Sequence, residues 1–116
     1  MPRFVVLEHD WPTTHWDFLL EASEVLRAWR ILEEPAIAKV LAAEANFDHR
    51  LFYLDYEGPL SNDRGSVIQW DAGTFEWIED ALDRVAVELL GRKLSGRVEL
   101  NRQGERWLVR ILGARG

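Results

Sequence analysis

Residues 3–21 read RFVVLEHDWPTTHWDFLLE. Two β-rich runs, residues 3–8 and 16–21, flank a polar connection containing Pro12, which is the pattern of two short strands joined by a loop. Residues 25–31 follow as a third strand. There Val25, Arg27, Trp29 and Ile31 alternate with Leu26, Ala28 and Arg30, so both of its faces are expected to be partly covered. Residues 51–56 and 66–71 also read as strands. The last two are the clearest: Val98 and Leu100, then Trp107, Val109 and Ile111, joined by a turn at residues 101–104. Glycine is absent before residue 58, and all eight glycines follow at intervals typical of strands joined by turns. Residues 35–45 are Ala-rich, begin with Pro35 and set Ile37, Val40 and Leu41 on one face, which predicts a short helix. Ile78, Ala81, Leu82, Val85 and Leu89 fit helical spacing, whereas Val85, Val87 and Leu89 fit a strand, and periodicity does not separate the two. The expectation is a mainly β fold: a compact β-barrel of short strands with one or two short flanking helices, forming a single domain over residues 1–116.

Composition narrows the chemistry. A chain of 116 residues, 47% apolar and 29% charged, supports one folded core. It has no cysteine, which removes disulfides, zinc–thiolate sites and thiol nucleophiles and suits a reducing cytoplasm. The early apolar run at residues 4–7 is too short for a signal peptide or a membrane span. There is no Walker loop, dinucleotide glycine pattern or Ser–His–Asp arrangement. The net charge of −6, taken alone, argues against a phosphate-backbone partner. That charge is unevenly spread. Residues 1–90 carry seven basic and eighteen acidic side chains, whereas residues 91–116 carry seven basic side chains, among them Arg92, Arg97, Arg110 and Arg115, against Glu99 and Glu105. Twelve of the fourteen basic residues are arginine, the residue suited to bidentate contact with phosphate. Arg92, Arg97 and Arg110 are therefore candidate nucleic-acid contacts.

Two of the three histidines fall within the opening stretch. On a strand starting near residue 16, His15 and Asp17 are two residues apart and point to one face, while His9 ends the first strand across the Pro12 loop. Two imidazoles and a carboxylate make a mixed nitrogen–oxygen site that suits manganese, iron, zinc or cobalt better than a structural zinc. A buried Asp17 would otherwise be costly, and a cation offsets that cost. Trp11 and Trp16 flank the cluster. A tryptophan here can stack on a terminal base or pack to stiffen the site; Trp11 is open to either role and is a candidate nucleic-acid contact, whereas packing is the stronger reading for Trp16.

The same residues resemble the 3'-phosphoesterase domain found at the front of bacterial ligase D proteins. FVVLEHDWPTTHWDFLLE is similar to its opening, and the likeness runs on in order through VLRAW, DHRLFYLDYEG, GSVIQWDAG, LLGRKLSGRVEL and RWLVR. The resemblance implies a compact β-barrel with short flanking helices and a divalent metal, characteristically manganese, with zinc or cobalt as alternatives. It implies removal of ribonucleotides and phosphates from DNA 3' ends during DNA repair, with DNA ends and repair proteins as partners and no membrane. His9, His15 and Asp17 match the family's metal ligands. His49 and Tyr53 match a histidine and a tyrosine that act at the scissile phosphate. Trp29 and Trp70 match family tryptophans read as core, and Trp107 lies on a period-2 face and reads as core too.

The chain also departs from that pattern. Leu19 stands where the family has a phosphate-gripping arginine, and Glu33 where it has a lysine. An arginine upstream of the third histidine has no equivalent, Val40 and Leu41 occupying that region, and the loop between residues 57 and 65 is short. Each lost charge-assisted phosphate contact costs about 1.5–3 kcal/mol, or roughly tenfold in rate per 1.4 kcal/mol. Three readings follow: a stand-alone 3'-phosphoesterase, a catalytically weakened metal-binding module that recognises DNA ends or a repair partner, and a metal-dependent phosphoesterase with a less anionic substrate. The basic C-terminal segment is, at this level, the one track for a phosphate backbone.

Overall fold

The computed structural model describes residues 1–113. Nine strands follow in the order β1 (Arg3–His9), β2 (His15–Ala22), β3 (Val25–Ile31), β4 (Val40–Arg50), β5 (Gly58–Pro59), β6 (Ser66–Asp80), β7 (Arg84–Gly91), β8 (Ser95–Gln103) and β9 (Arg106–Ile111). All neighbouring pairs are antiparallel, in the order β1-β2-β3-β4-β9-β8-β7-β6-β5, and β1 also pairs with β6. That last pairing closes eight strands into a barrel and leaves the two-residue β5 outside the ring. The expectation of a mainly β barrel holds, and no described helix is long and apolar enough to cross a membrane.

Closure depends on β6, which is long enough to serve two neighbours. Its first half pairs with β1 and its second with β7. Gly73 sits at the crossover, opposite both Phe4 and Gly91, and a Cβ there would overlap the Leu90 carbonyl oxygen. Only glycine allows the two strands to approach so closely.

The barrel interior takes one face of every strand in the ring. Phe4, Val6, Phe18, Leu20, Trp29, Leu41, Phe75, Val87, Leu100 and Trp107 are among its buried members, and the rings of Trp29 and Trp107 meet edge to face at 5.6 Å. A second, smaller apolar cluster lies on the outside of the wall formed by β1 to β3: Val5, Leu7, Leu19, Leu26, Ala28, Leu54 and Val67. The segment after β4 covers it, with Leu51, Tyr53, Tyr56 and Leu60 packed against it. Strand parity makes this arrangement, because Val5 and Leu7 alternate with Phe4 and Val6, and Leu19 alternates with Phe18 and Leu20.

Several sequence expectations need correction. Residues 35–45 form no helix: Pro35 to Lys39 is a loop with Ala38 at φ 69°, and Val40 opens an eleven-residue strand. Leu41 and Ala43 alternate into the barrel between β3 and β9, so ladder bonds on both sides override alanine's helix preference. Residues 51–56 are not a strand; Leu51–Leu54 is a single 3-10 turn, the one described helical element. Residues 78–89 resolve as strand on both sides of a turn, because Val85 and Val87 are fully buried while Leu82 is exposed. The final turn is tighter than expected, with Gln103 paired to Arg106 and Gly104 at φ 64°. Trp70 is only partly buried at the edge of the core, where it donates Nε1–H to Glu34 at 3.2 Å and lies under Lys93.

Candidate metal centre

The site lies on the outer face of the β1–β2–β3 wall, beyond the end of the second apolar cluster. His9 and His15 are the last and first residues of β1 and β2 and are paired directly in register, with ring centroids 4.7 Å apart. Asp17 follows two residues later on the same face, opposite Leu7 and Arg30. His15 and Asp17 are 2% and 5% exposed, so this is a buried cluster and not a solvated charge pair.

Hydrogen bonding fixes what each ring offers. His9 Nε2–H donates to the Arg64 carbonyl at 2.8 Å, and His15 Nδ1–H donates to the Thr13 carbonyl at 2.9 Å. A carbonyl only accepts, so each of these ring nitrogens carries a proton. In the neutral form of each ring, which is the metal-binding form, the opposite nitrogen presents its lone pair toward Asp17. His9 Nδ1 lies 3.7 Å and His15 Nε2 3.3 Å from Asp17 Oδ2, and the three ligand atoms all fall within 4.8 Å of one another. His15 Nε2 is buried and has no hydrogen-bond partner. Two lone pairs and a carboxylate converging out of water repel one another unless a cation lies between them. Ring nitrogens braced from behind by carbonyl oxygens are also the usual support of metal-bound histidine. The donor set therefore fits a divalent metal.

A second clip holds the loop that supplies the Arg64 carbonyl. Asp10 accepts Ser66 N–H at 2.8 Å, and Asp10 N–H donates to the Ser66 carbonyl at 3.3 Å. The Ser66 amide bond, above all, holds the Asp10 carboxyl below its ordinary range. Gly65 between them has φ 75°, and a Cβ there would overlap Asp10 Oδ1 and Trp11 Cβ. Only glycine fits this turn.

The cluster opens into a cavity of about 330 Å³ lined by His9, Trp11, Asp17, His49, Tyr53 and other residues. His49 reaches it from the end of β4. Its Nδ1–H donates to the Phe47 carbonyl at 2.9 Å and its ring stacks on Phe47 at 5.2 Å, while Tyr53 meets it edge-on at 5.8 Å. The 3-10 turn, in place of the strand expected there, is what carries Tyr53 under His49. Trp11 is 43% exposed at the rim. Trp16 faces the other side of β2 and packs against the barrel core.

The cationic side chains in the cavity are not those singled out from the sequence. Arg30, Arg50 and Arg64 line it, all from the acidic part of the chain, whereas Arg92, Arg97 and Arg110 do not. Arg92 donates to Gln69 and Arg97 to Glu99. Arg115 falls outside the described residues. Strand parity held the missing signal, since Arg30 alternates with Trp29 and shares a face with Asp17. Leu19 is fully buried in the second apolar cluster, and Glu33 is exposed in the bend after β3, so neither lines the cavity.

Comparison with known proteins agrees with this architecture. The model of the DNA ligase D 3'-phosphoesterase domain matches residues 7–102. The multifunctional non-homologous end joining protein LigD of Pseudomonas aeruginosa is 34% identical over 111 residues, covering 86% of this chain and 13% of that protein. The multifunctional non-homologous end joining DNA repair protein LigD of Mycobacterium tuberculosis is 36% identical over 120 residues, covering 94% and 16%. The LigD of Mycolicibacterium smegmatis is 29% identical over 125 residues, covering 92% and 16%. The chain thus spans about a sixth or less of the length of these relatives. Its match to the family model extends across the strands that carry the three candidate ligands and the lining of the cavity, and the chain belongs to the DNA ligase D 3'-phosphoesterase domain family.

Proposed function

We propose that this chain is a divalent-metal-dependent phosphoesterase that removes a terminal ribonucleotide or phosphate from DNA 3' ends during repair. The observation that carries the reading is the convergence of His9, His15 and Asp17 beside a cavity lined by His9 and Asp17 together with His49 and Tyr53. The mixed imidazole–carboxylate donor set accommodates manganese, iron, zinc or cobalt, and the family resemblance singles out manganese among them. When bound, the metal supplies polarisation of a phosphoryl oxygen and orientation of the attacking group. His49 has its Nδ1 proton committed to the Phe47 carbonyl, so its Nε2 faces the substrate and, in the imidazolium form, donates to phosphate oxygen or passes a proton to the leaving oxygen. Tyr53 adds a hydroxyl donor against the same group. Arg30, Arg50 and Arg64 make the cavity locally cationic inside a chain of net charge −6, and local potential, more than net charge, decides which ligand enters.

The test is a primer–template ending in one 3' ribonucleotide or a 3'-phosphate, incubated with and without manganese. Manganese-dependent shortening that disappears in His15→Ala supports the reading. A second reading, an end-binding module without turnover, draws on the uncharged Leu19. It is favoured if no product forms while manganese-dependent binding of the same DNA persists.

A further inference from the structure

We infer that Arg30 is the specificity-determining anion receptor of this cavity, holding the terminal phosphate of the substrate beside the metal centre; the inference rests on the proposed phosphoesterase reading. Arg30 sits opposite Asp17 on β3 and opposite Glu44 on β4, and directly opposed residues share a face of the sheet. Two carboxylates thus flank it, yet among the described residues its guanidinium forms neither an ion pair nor a hydrogen bond. Its Nε is buried without a partner while the side chain lines the cavity. Asp17, the buried one of the two, turns its Oδ2 toward the two histidines instead, and Glu44 is exposed.

A partly buried guanidinium whose Nε–H is out of water and unpartnered is costly unless an anion completes it. Its planar donors match phosphate in a bidentate manner, which a point charge does not reproduce. The other two cavity arginines are exposed, and Arg50 lies over the rings of Phe52 and Tyr53, whereas Arg30 is partly buried beside Asp17. Arg30 is therefore the cavity cation held closest in sequence register to a metal ligand. A phosphate bridging the metal centre and Arg30 would satisfy both.

The test compares binding of a DNA strand ending in a 3'-phosphorothioate, a slowly reacting phosphate analogue, with the same strand ending in a 3'-hydroxyl, using manganese-loaded full chain. Arg30→Gln is expected to lose about 10- to 100-fold of the preference for the charged terminus. Arg30→Lys recovers part of it, and both variants keep manganese affinity. Undiminished preference in an Arg30→Gln protein that binds manganese normally overturns the inference. Where that variant fails to fold, unmutated zinc-loaded protein supplies the readout: the arginine Nε–H resonance absent from Arg30→Lys shifts with the phosphorothioate strand and not with the hydroxyl strand. An unmoved resonance overturns the inference as well. Wild-type protein that shows the preference but makes no product on the primer–template sinks the activity and leaves Arg30 in place. Product formed equally well, with unchanged KM, by Arg30→Gln sinks Arg30 alone.

Discussion

His9 and His15 face each other across β1 and β2, each committing one ring nitrogen to a backbone carbonyl and turning the other toward Asp17. The two strands that open the chain therefore bring the three side chains together by pairing, and one distant group, the Arg64 carbonyl, braces His9 from behind.

A cation that joins these three groups binds the folded chain and not the unfolded one. Manganese at about 100 times its dissociation constant should raise stability by about 2.7 kcal/mol. Asp17→Asn and His15→Ala should abolish that thermal shift, measured by calorimetry with and without the ion. An equal shift in Asp17→Asn would place the stabilising ion elsewhere.

The clip formed by Asp10, Gly65 and Ser66 holds the Arg64 carbonyl against His9. Gly65→Ala must adopt a left-handed backbone and displace Asp10, costing about 1–3 kcal/mol. Manganese affinity should fall by about 10- to 100-fold, the usual effect of losing a ligand's outer support. Asp10 carries the pH dependence of the same clip. Its folded carboxyl lies below the ordinary value of 3.8, so its stabilisation is present above that value and disappears as pH falls through the lower folded one. Asp10→Asn should flatten this acid limb in a pH series of melting curves. An unchanged limb would show that other carboxylates dominate it.

Asp71 offers a contrasting case, a buried carboxylate with a structural task. It accepts the backbone N–H groups of Arg92, Lys93 and Leu94 and so holds the β7–β8 connection. Asp71→Ala strands these donors and should cost about 3 kcal/mol or more. Manganese binding at temperatures where the variant is folded should be unaffected. A parallel loss of metal affinity would tie this connection to the centre.

Alternation made β1, β2, β3 and β9 readable, because one face of each is buried in the barrel and period 2 survives in the residues. The same alternation placed His15 and Asp17 together. It failed at residues 35–45, where Ala43 and Ala45 are compatible with either period and only pairing with β3 and β9 selects a strand. It failed again at the 3-10 turn, where Leu51 and Leu54 cover the second apolar cluster three residues apart. The cationic lining was missed for a related reason. Net charge by segment pointed to Arg92, Arg97 and Arg110, but the register that brings Arg30 opposite Asp17 is a property of two strands and is invisible in a running sum.

That distinction bears on Leu19. Absence of an arginine there suggested weakened chemistry, and restoring one is the obvious repair. In this fold Leu19 is fully buried among Val5, Leu7, Leu26, Ala28, Leu54 and Val67. A guanidinium inserted among them has no carboxylate within that cluster and displaces a packed side chain. Leu19→Arg should therefore destabilise the barrel by about 3 kcal/mol or more. It should also loosen the 3-10 turn that carries Tyr53, lowering turnover instead of raising it. Chemical denaturation and 3'-end processing on one preparation would check both effects. A stable Leu19→Arg protein with faster turnover would show that the apolar cluster yields to a phosphate-directed arginine, and that this chain keeps the family's geometry beneath a different residue.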